Sequence, residues 1–164
     1  MTILSRTVAF AALLPLVAAS RLEAQSSKIT VTIAGGAHAG TYEETQECEV
    51  NPDQFPSIFF VAGHALANVK PNAPTKIEFF TASAKGMPDG FVLSLHFRGK
   101  PGERTKYDLN AIPPAMKPPI ALPPAGSGSV TVTKTATGRT ATFRGVTHDG
   151  IRMEGTLDCR SQSK

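Results

Sequence analysis

The sequence predicts an all-β protein, an antiparallel β-sandwich or partly open barrel of about seven to eight strands, preceded by a signal peptide. Three observations carry this reading. Short segments alternate apolar and polar residues at period two, as in KITVTIA at 28–34. Gly-, Pro- and Asn-rich turns separate them, and no long helical period intervenes. Two cysteines, Cys48 and Cys159, stand near the two ends of the chain that follows the leader.

The 164 residues predict one domain. Residues 1–24 form the expected signal peptide: Arg6 at the start, a small apolar run over 7–19, then Ala18, Ala19 and Ser20, with a second cleavage candidate after Ala24. The apolar run is too short for a membrane anchor, so no transmembrane anchor is expected after cleavage. No cysteine lies near the cut to take a lipid. The expected β domain is 25–164. Losing Arg6, Arg21 and Glu23 lowers the formal charge from +4 to +3. The basic residues are scattered and tryptophan is absent, which speaks against a nucleic-acid partner. Export meets an oxidising compartment, where a cysteine pair closes, so a Cys48–Cys159 disulfide is expected.

The strands follow in order. In 28–34, Ile29, Val31 and Ile33 face one way and Thr30 and Thr32 the other. Gly35, Gly36 and Gly40 mark a turn that lacks the Gly-Lys-Ser/Thr ending of a phosphate loop. Residues 40–50 read as one strand, with Tyr42, Glu44, Gln46, Cys48 and Val50 on one side and Glu43, Thr45, Glu47 and Glu49 toward solvent. Those carboxylates lack the spacing of a calcium loop. SIFFV at 57–61 reads as a buried strand, and 63–74 as a loop with a helical turn near 65–68. Strands are expected at 76–82 and 91–97, joined through the turn Met87-Pro88-Asp89-Gly90, in which Gly90 would accept positive φ. Phe91, Leu93, Leu95 and Phe97 share one face, the most apolar in the chain and the expected centre of the core. A further short strand covers 105–109.

Residues 112–129 differ in kind. Pro113-Pro114, Pro118-Pro119 and Pro123-Pro124 recur every five residues, a segment without ladder donors that reads as a connecting strap. Beyond it, a hairpin is expected around a three-residue loop, His148-Asp149-Gly150, with Gly150 left-handed. That register sets Gly145 opposite Met153, Phe143 opposite Gly155 and Ala141 opposite Leu157, all on one side, and the same parity ends at Cys159. A two-residue turn would scatter this apolar set over both faces.

Chemistry is sparse. His38, His64, His96 and His148 form no short metal motif. There is no nucleophile elbow, and Glu43 and Glu44 point to opposite faces. No catalytic residue, cofactor or metal is therefore expected. Phe59, Phe60, Phe79, Phe80 and Phe91 are candidates to line an apolar ligand cavity between the sheets. Each Phe-Phe pair puts one ring on either face of its strand, and the outward ring needs a cover, for which the strap is preferred to a ligand.

The lysine-led first strand at 28–34, Cys48 soon after it, and the closing Gly-x-Leu-x-Cys at 155–159 resemble the secreted one-disulfide β-sandwiches typified by mycobacterial lipoprotein antigens. Those proteins carry a lipid-modified cysteine that this chain lacks. The resemblance implies a cell-envelope protein and carries over no catalytic residue. The function expected from the sequence is an exported, secreted or periplasmic, non-catalytic binding or envelope module with an envelope or extracellular partner. The alternative is a carrier of a small apolar ligand or lipid.

Overall fold

The computed structural model describes residues 26–51, 56–116 and 121–160. The expected signal peptide lies outside the described residues, as does the middle of the strap at 117–120. Two five-stranded sheets face each other, and every strand pair within them is antiparallel. The first contains β1 (Ser27–Ala34), β2 (Gly40–Gln46), β8 (Ser127–Lys134), β9 (Gly138–Val146) and β10 (Arg152–Arg160), in the order β2-β1-β10-β9-β8. The second contains β3 (Cys48–Val50), β4 (Ile58–Gly63), β5 (Pro74–Ala82), β6 (Gly90–Phe97) and β7 (Lys106–Asn110), in sequence order. This is a sandwich.

The ten strands among the described residues exceed the expected number for two reasons. The stretch 127–134 forms a strand of its own. The single strand expected over 40–50 is two, because the chain crosses from one sheet to the other at Glu47. Side-chain parity survives the crossing, with Tyr42 half-buried and Cys48 buried, and so the break is silent in the alternation.

The Cys48–Cys159 disulfide is present, with Cα atoms 5.5 Å apart and 111 residues of separation. It joins β3 of one sheet to β10 of the other, and both cysteines are buried. The hairpin before Cys159 has the expected register, with Gly145 opposite Met153, Phe143 opposite Gly155 and Ala141 opposite Leu157. Its loop closes through Thr147 N donating to Ile151 O at 2.9 Å, and Gly150 takes φ +91°. Positive φ in the preceding turn belongs to Gly86, not to Gly90 as expected.

Gly90 serves a different need. It opens β6 on the outward parity, and a Cβ there would lie 2.6 Å from Pro113 Cδ and 2.9 Å from Ile112 Cα. The first residues of the strap thus cross the outer face of the second sheet, seated on Gly90. Asn110 fixes both ends of that strap. Its side chain accepts from Ile112 N and donates to Pro123 O, each at 3.1 Å, and its carbonyl accepts from Gly126 N at 2.7 Å.

Between the sheets, Ile29, Val31 and Ile33 of β1 meet the Phe91, Leu93 and Leu95 side of β6 in one buried cluster. The rings of Phe79, Phe91 and Phe143 pack mutually at 4.8–5.9 Å between centroids. Such tilted ring pairs add about 0.5–1.5 kcal/mol each beyond the area they bury.

Two outcomes are expected. Closing so long a loop restricts the unfolded chain by about 4–5 kcal/mol, so Cys159→Ser should lower the urea midpoint strongly, and non-reducing peptide mapping of the native protein should recover a Cys48–Cys159 peptide. Gly90→Ala should destabilise by about 1–3 kcal/mol in the same titration, because strap backbone has to move to admit the methyl group.

Candidate functional site

The outer face of the first sheet is built by the polar half of each alternation. Inward Ile29, Val31 and Ile33 leave Thr30 and Thr32 outward, and inward Ala141 and Phe143 leave Thr140, Thr142 and Arg144 outward. Strand register lines these positions up across all five strands. One row reads Thr41, Thr32, Glu154, Arg144, Ser129, and the next reads Glu43, Thr30, Thr156, Thr142, Thr131. A third reads Thr45, Lys28, Asp158, Thr140, Thr133. Ten of these fifteen side chains are hydroxyls and five are charged, so the face carries no apolar side chain in these rows. Neighbouring rows stand about 6.7 Å apart and neighbouring strands about 4.8 Å, the ordinary sheet repeats.

Two adjoining grooves run over this face. The larger, of about 580 Å³, is lined by Thr32, Ser127, Ser129, Arg144, Arg152 and Glu154 among others. The second, of about 490 Å³, shares Thr32, Ser129, Arg144 and Glu154 with it and continues toward Thr131, Thr142 and Thr156. Arg144 and Arg152 are both exposed, and among the described residues no carboxylate lies within ion-pair distance of either. By contrast Lys28 pairs with Glu43 at 2.9 Å, which with the Thr30 hydroxyl holds the Glu43 carboxyl below its ordinary range. Asp158 pairs with Arg160 at 3.2 Å. The charges at the edge of the face pair at contact distance, whereas Arg144 and Arg152 share the groove with Glu154, the register neighbour of Arg144, without forming an ion pair.

One end of the sandwich is held by rings. His38 stacks on Phe97 with centroids 4.1 Å apart, and its Nδ1 lies 3.3 Å from the hydroxyl of buried Tyr107. Tyr42 donates to the His38 carbonyl at 2.9 Å, and burial raises the Tyr42 phenol above its usual value. The Arg104 guanidinium covers the Tyr107 ring at 4.2 Å and pairs with Asp149. Asp149 accepts from the Thr147 hydroxyl, the main reason its carboxyl titrates low. These contacts pin three loops to one another.

The outer face of the second sheet carries Glu78, Ser94 and Asp108 side by side in register, with Lys76, His96 and Lys106 in the next row. Ser94 donates to Asp108 at 2.6 Å, so its hydroxyl is committed to a carboxylate. His96 Nε2 is 3.6 Å from Glu78, too far for a hydrogen bond, and is buried without another partner. Burial first, and then the Lys106 charge, hold the His96 imidazole below its ordinary 6.5, with Lys76 acting the same way and Glu78 and Asp108 opposing. His64 bonds Glu44 at 2.8 Å and His148 is exposed at its loop tip. Among the described residues no three His, Cys, Asp or Glu side chains stand close enough to hold a metal.

The five phenylalanines are divided between two faces. Phe60, Phe79 and Phe91 point into the core and are fully buried there. Phe59 and Phe80, cross-strand neighbours, point to the opposite face of the second sheet. Phe59 is 38% exposed, whereas Phe80 is buried, as is the adjacent outward residue Val92. No single surface is lined by all five. The threonine rows escaped the sequence reading because they exist only once five strands are in register. Their one local sign is the repeated Thr-x-Thr at 30–32, 131–133 and 140–142.

The fold and site together define a disulfide-tied, all-β two-sheet sandwich with a hydroxyl-rich outer face. No protein-family model, no curated protein and no solved structure matches the chain. Among the described residues no helix is long and apolar enough to cross a membrane.

The pH response of stability follows from His96. Its folded-state value lies below 6.5, so the native protein binds fewer protons than the unfolded chain just below neutrality. The stabilisation from a neutral His96 is present above 6.5 and lost as pH falls below it. Urea midpoints should therefore drop between pH 8 and pH 5.5, and His96→Gln should flatten that drop. Glu43 and Asp149 act only further into acid, around their ordinary 4.5 and 3.8 and below.

Proposed function

We propose that this chain is an exported, non-catalytic binding module of the periplasm or cell envelope, and that the outer face of the first sheet holds an acidic polysaccharide. The observation that carries the reading is the pair Arg144 and Arg152, exposed in a groove of about 580 Å³ beside Thr32, Ser127 and Ser129; Glu154 lines the same groove, so two guanidinium groups stand there against one carboxylate, and no ion pair forms among the described residues. A guanidinium fork matches a carboxylate or sulfate in two parallel hydrogen bonds. Hydroxyls both donate and accept, which suits the hydroxyls of a sugar chain. The two adjoining grooves offer such a chain a continuous path across four strands. A buried inter-sheet disulfide suits an oxidising compartment, and the resemblance to secreted one-disulfide sandwiches points to the same location. The interior is filled by the Phe79, Phe91 and Phe143 rings, which favours a surface ligand over an enclosed apolar one.

Binding of the purified protein to immobilised heparin, polygalacturonate and neutral dextran tests this reading. Wild type should hold an acidic polymer in a salt-sensitive manner and ignore dextran. The double variant Arg144→Ala/Arg152→Ala should bind about tenfold or more weakly, since hydrogen bonds to charged groups contribute about 1.5–3 kcal/mol each. Equal binding by the double variant, or no binding of wild type to either acidic polymer, overturns the assignment.

A further inference from the structure

The described residues form four edge strands, and three of them carry features that discourage pairing, β7 being also bridged at Asn110 by Ala125. β2 places Glu43 and Glu44 on its length, β3 has three residues, and β7 has five with Lys106 and Asp108 among them. Charges and short length are the usual means of keeping an edge unpaired. β8 has neither. It runs eight residues, Ser127–Lys134, with no proline and no charge before Lys134, and it pairs with β9 in unbroken register. Its other side ends the sheet.

The strand is also nearly its own mirror. About Thr131, the sequence reads Ser129-Val130-Thr131-Val132-Thr133. An antiparallel partner of the same sequence would therefore set Thr131 against Thr131, Val130 against Val132 and Ser129 against Thr133. Valine meets valine on the core side and hydroxyl meets hydroxyl on the outer side, with no side slip of the pleat. Lys134 falls opposite Gly128, so the two lysines do not oppose each other. Val130 and Val132 are packed against the core yet only partly buried, and the partner's valines would complete their cover.

We propose that β8 is a two-fold interface with a second copy of this chain, joining two first sheets into one ten-stranded sheet across the Thr131 pair. The self-complementary sequence selects this occupant over a strand of unrelated sequence, because an isologous contact demands that one strand fit itself. Backbone hydrogen bonds would supply the affinity and the valine pairs the register. The outer faces of the two copies then form one continuous hydroxyl surface, although the interface stands whether or not that surface binds a polysaccharide.

Sedimentation velocity of the disulfide-intact protein over a wide concentration range tests the proposal. Wild type should show a reversible monomer–dimer equilibrium. Thr131→Lys and Thr131→Glu each place like charges face to face and should each weaken the dimer about tenfold or more, while an equimolar mixture of the two should dimerise again. Thr131 is exposed, and unchanged circular dichroism and melting temperature would show that each variant folds. A wild type that stays monomeric throughout, or a dimer that both single variants leave intact, overturns the proposal.

Discussion

The crossing of the chain at Glu47 and the sulfur bridge beside it set the frame for everything else. β2 belongs to one sheet, β3 to the other, and Cys48 is the first residue after the crossing. Its partner Cys159 lies in β10, hydrogen-bonded to β1, so the bridge ties the opening and closing strands of one sheet to the edge of the other. Between the tied sheets the side chains interdigitate as one body. Phe143 from the first sheet touches Phe79 and Phe91 from the second, and no ring could shift without opening space beside its neighbours.

The opposite side of the sandwich is closed by different means. There the chain passes from β7 to β8 through the proline-rich strap, and polar contacts replace the covalent one. Asn110 is nearly buried and spends its amide on both arms of the strap, while its own carbonyl receives Gly126. A buried amide is stabilising only when its donors and acceptors are met, and here they are met by groups that a proline-rich segment would otherwise leave without ladder partners. Gly90 completes the arrangement by letting Pro113 lie against the sheet.

Much of this was legible in the residues. The hairpin register could be read because an apolar set, Ala141, Phe143, Met153 and Leu157, had one arrangement that kept it together, and the core face of β6 because four apolar residues alternate without exception. Local pattern misled where two conformations share a parity. The crossing at Glu47 keeps Tyr42 and Cys48 on the same side, so nothing in the alternation separates one strand from two. Composition places Gly90 in a turn, whereas its role is set by a contact with residues more than twenty positions away. The candidate site was the least visible part. Arg144 and Arg152 are eight residues apart, on separate strands, and the rows of hydroxyls combine five strands drawn from both ends of the sequence.

The clamp at Asn110 also fixes the two ends of the strap independently of what lies between them. Because the Asn110 side chain holds both Ile112 and Pro123, residues added between these two points lengthen a loop whose ends are already fixed. Loop-closure entropy rises only by about 0.6 kcal/mol for each doubling of length. New sequence could therefore enter between these two anchor points over generations, or by design, at little expense to the sandwich. Such a place lets a sandwich of this kind gain a contact surface without rebuilding its core.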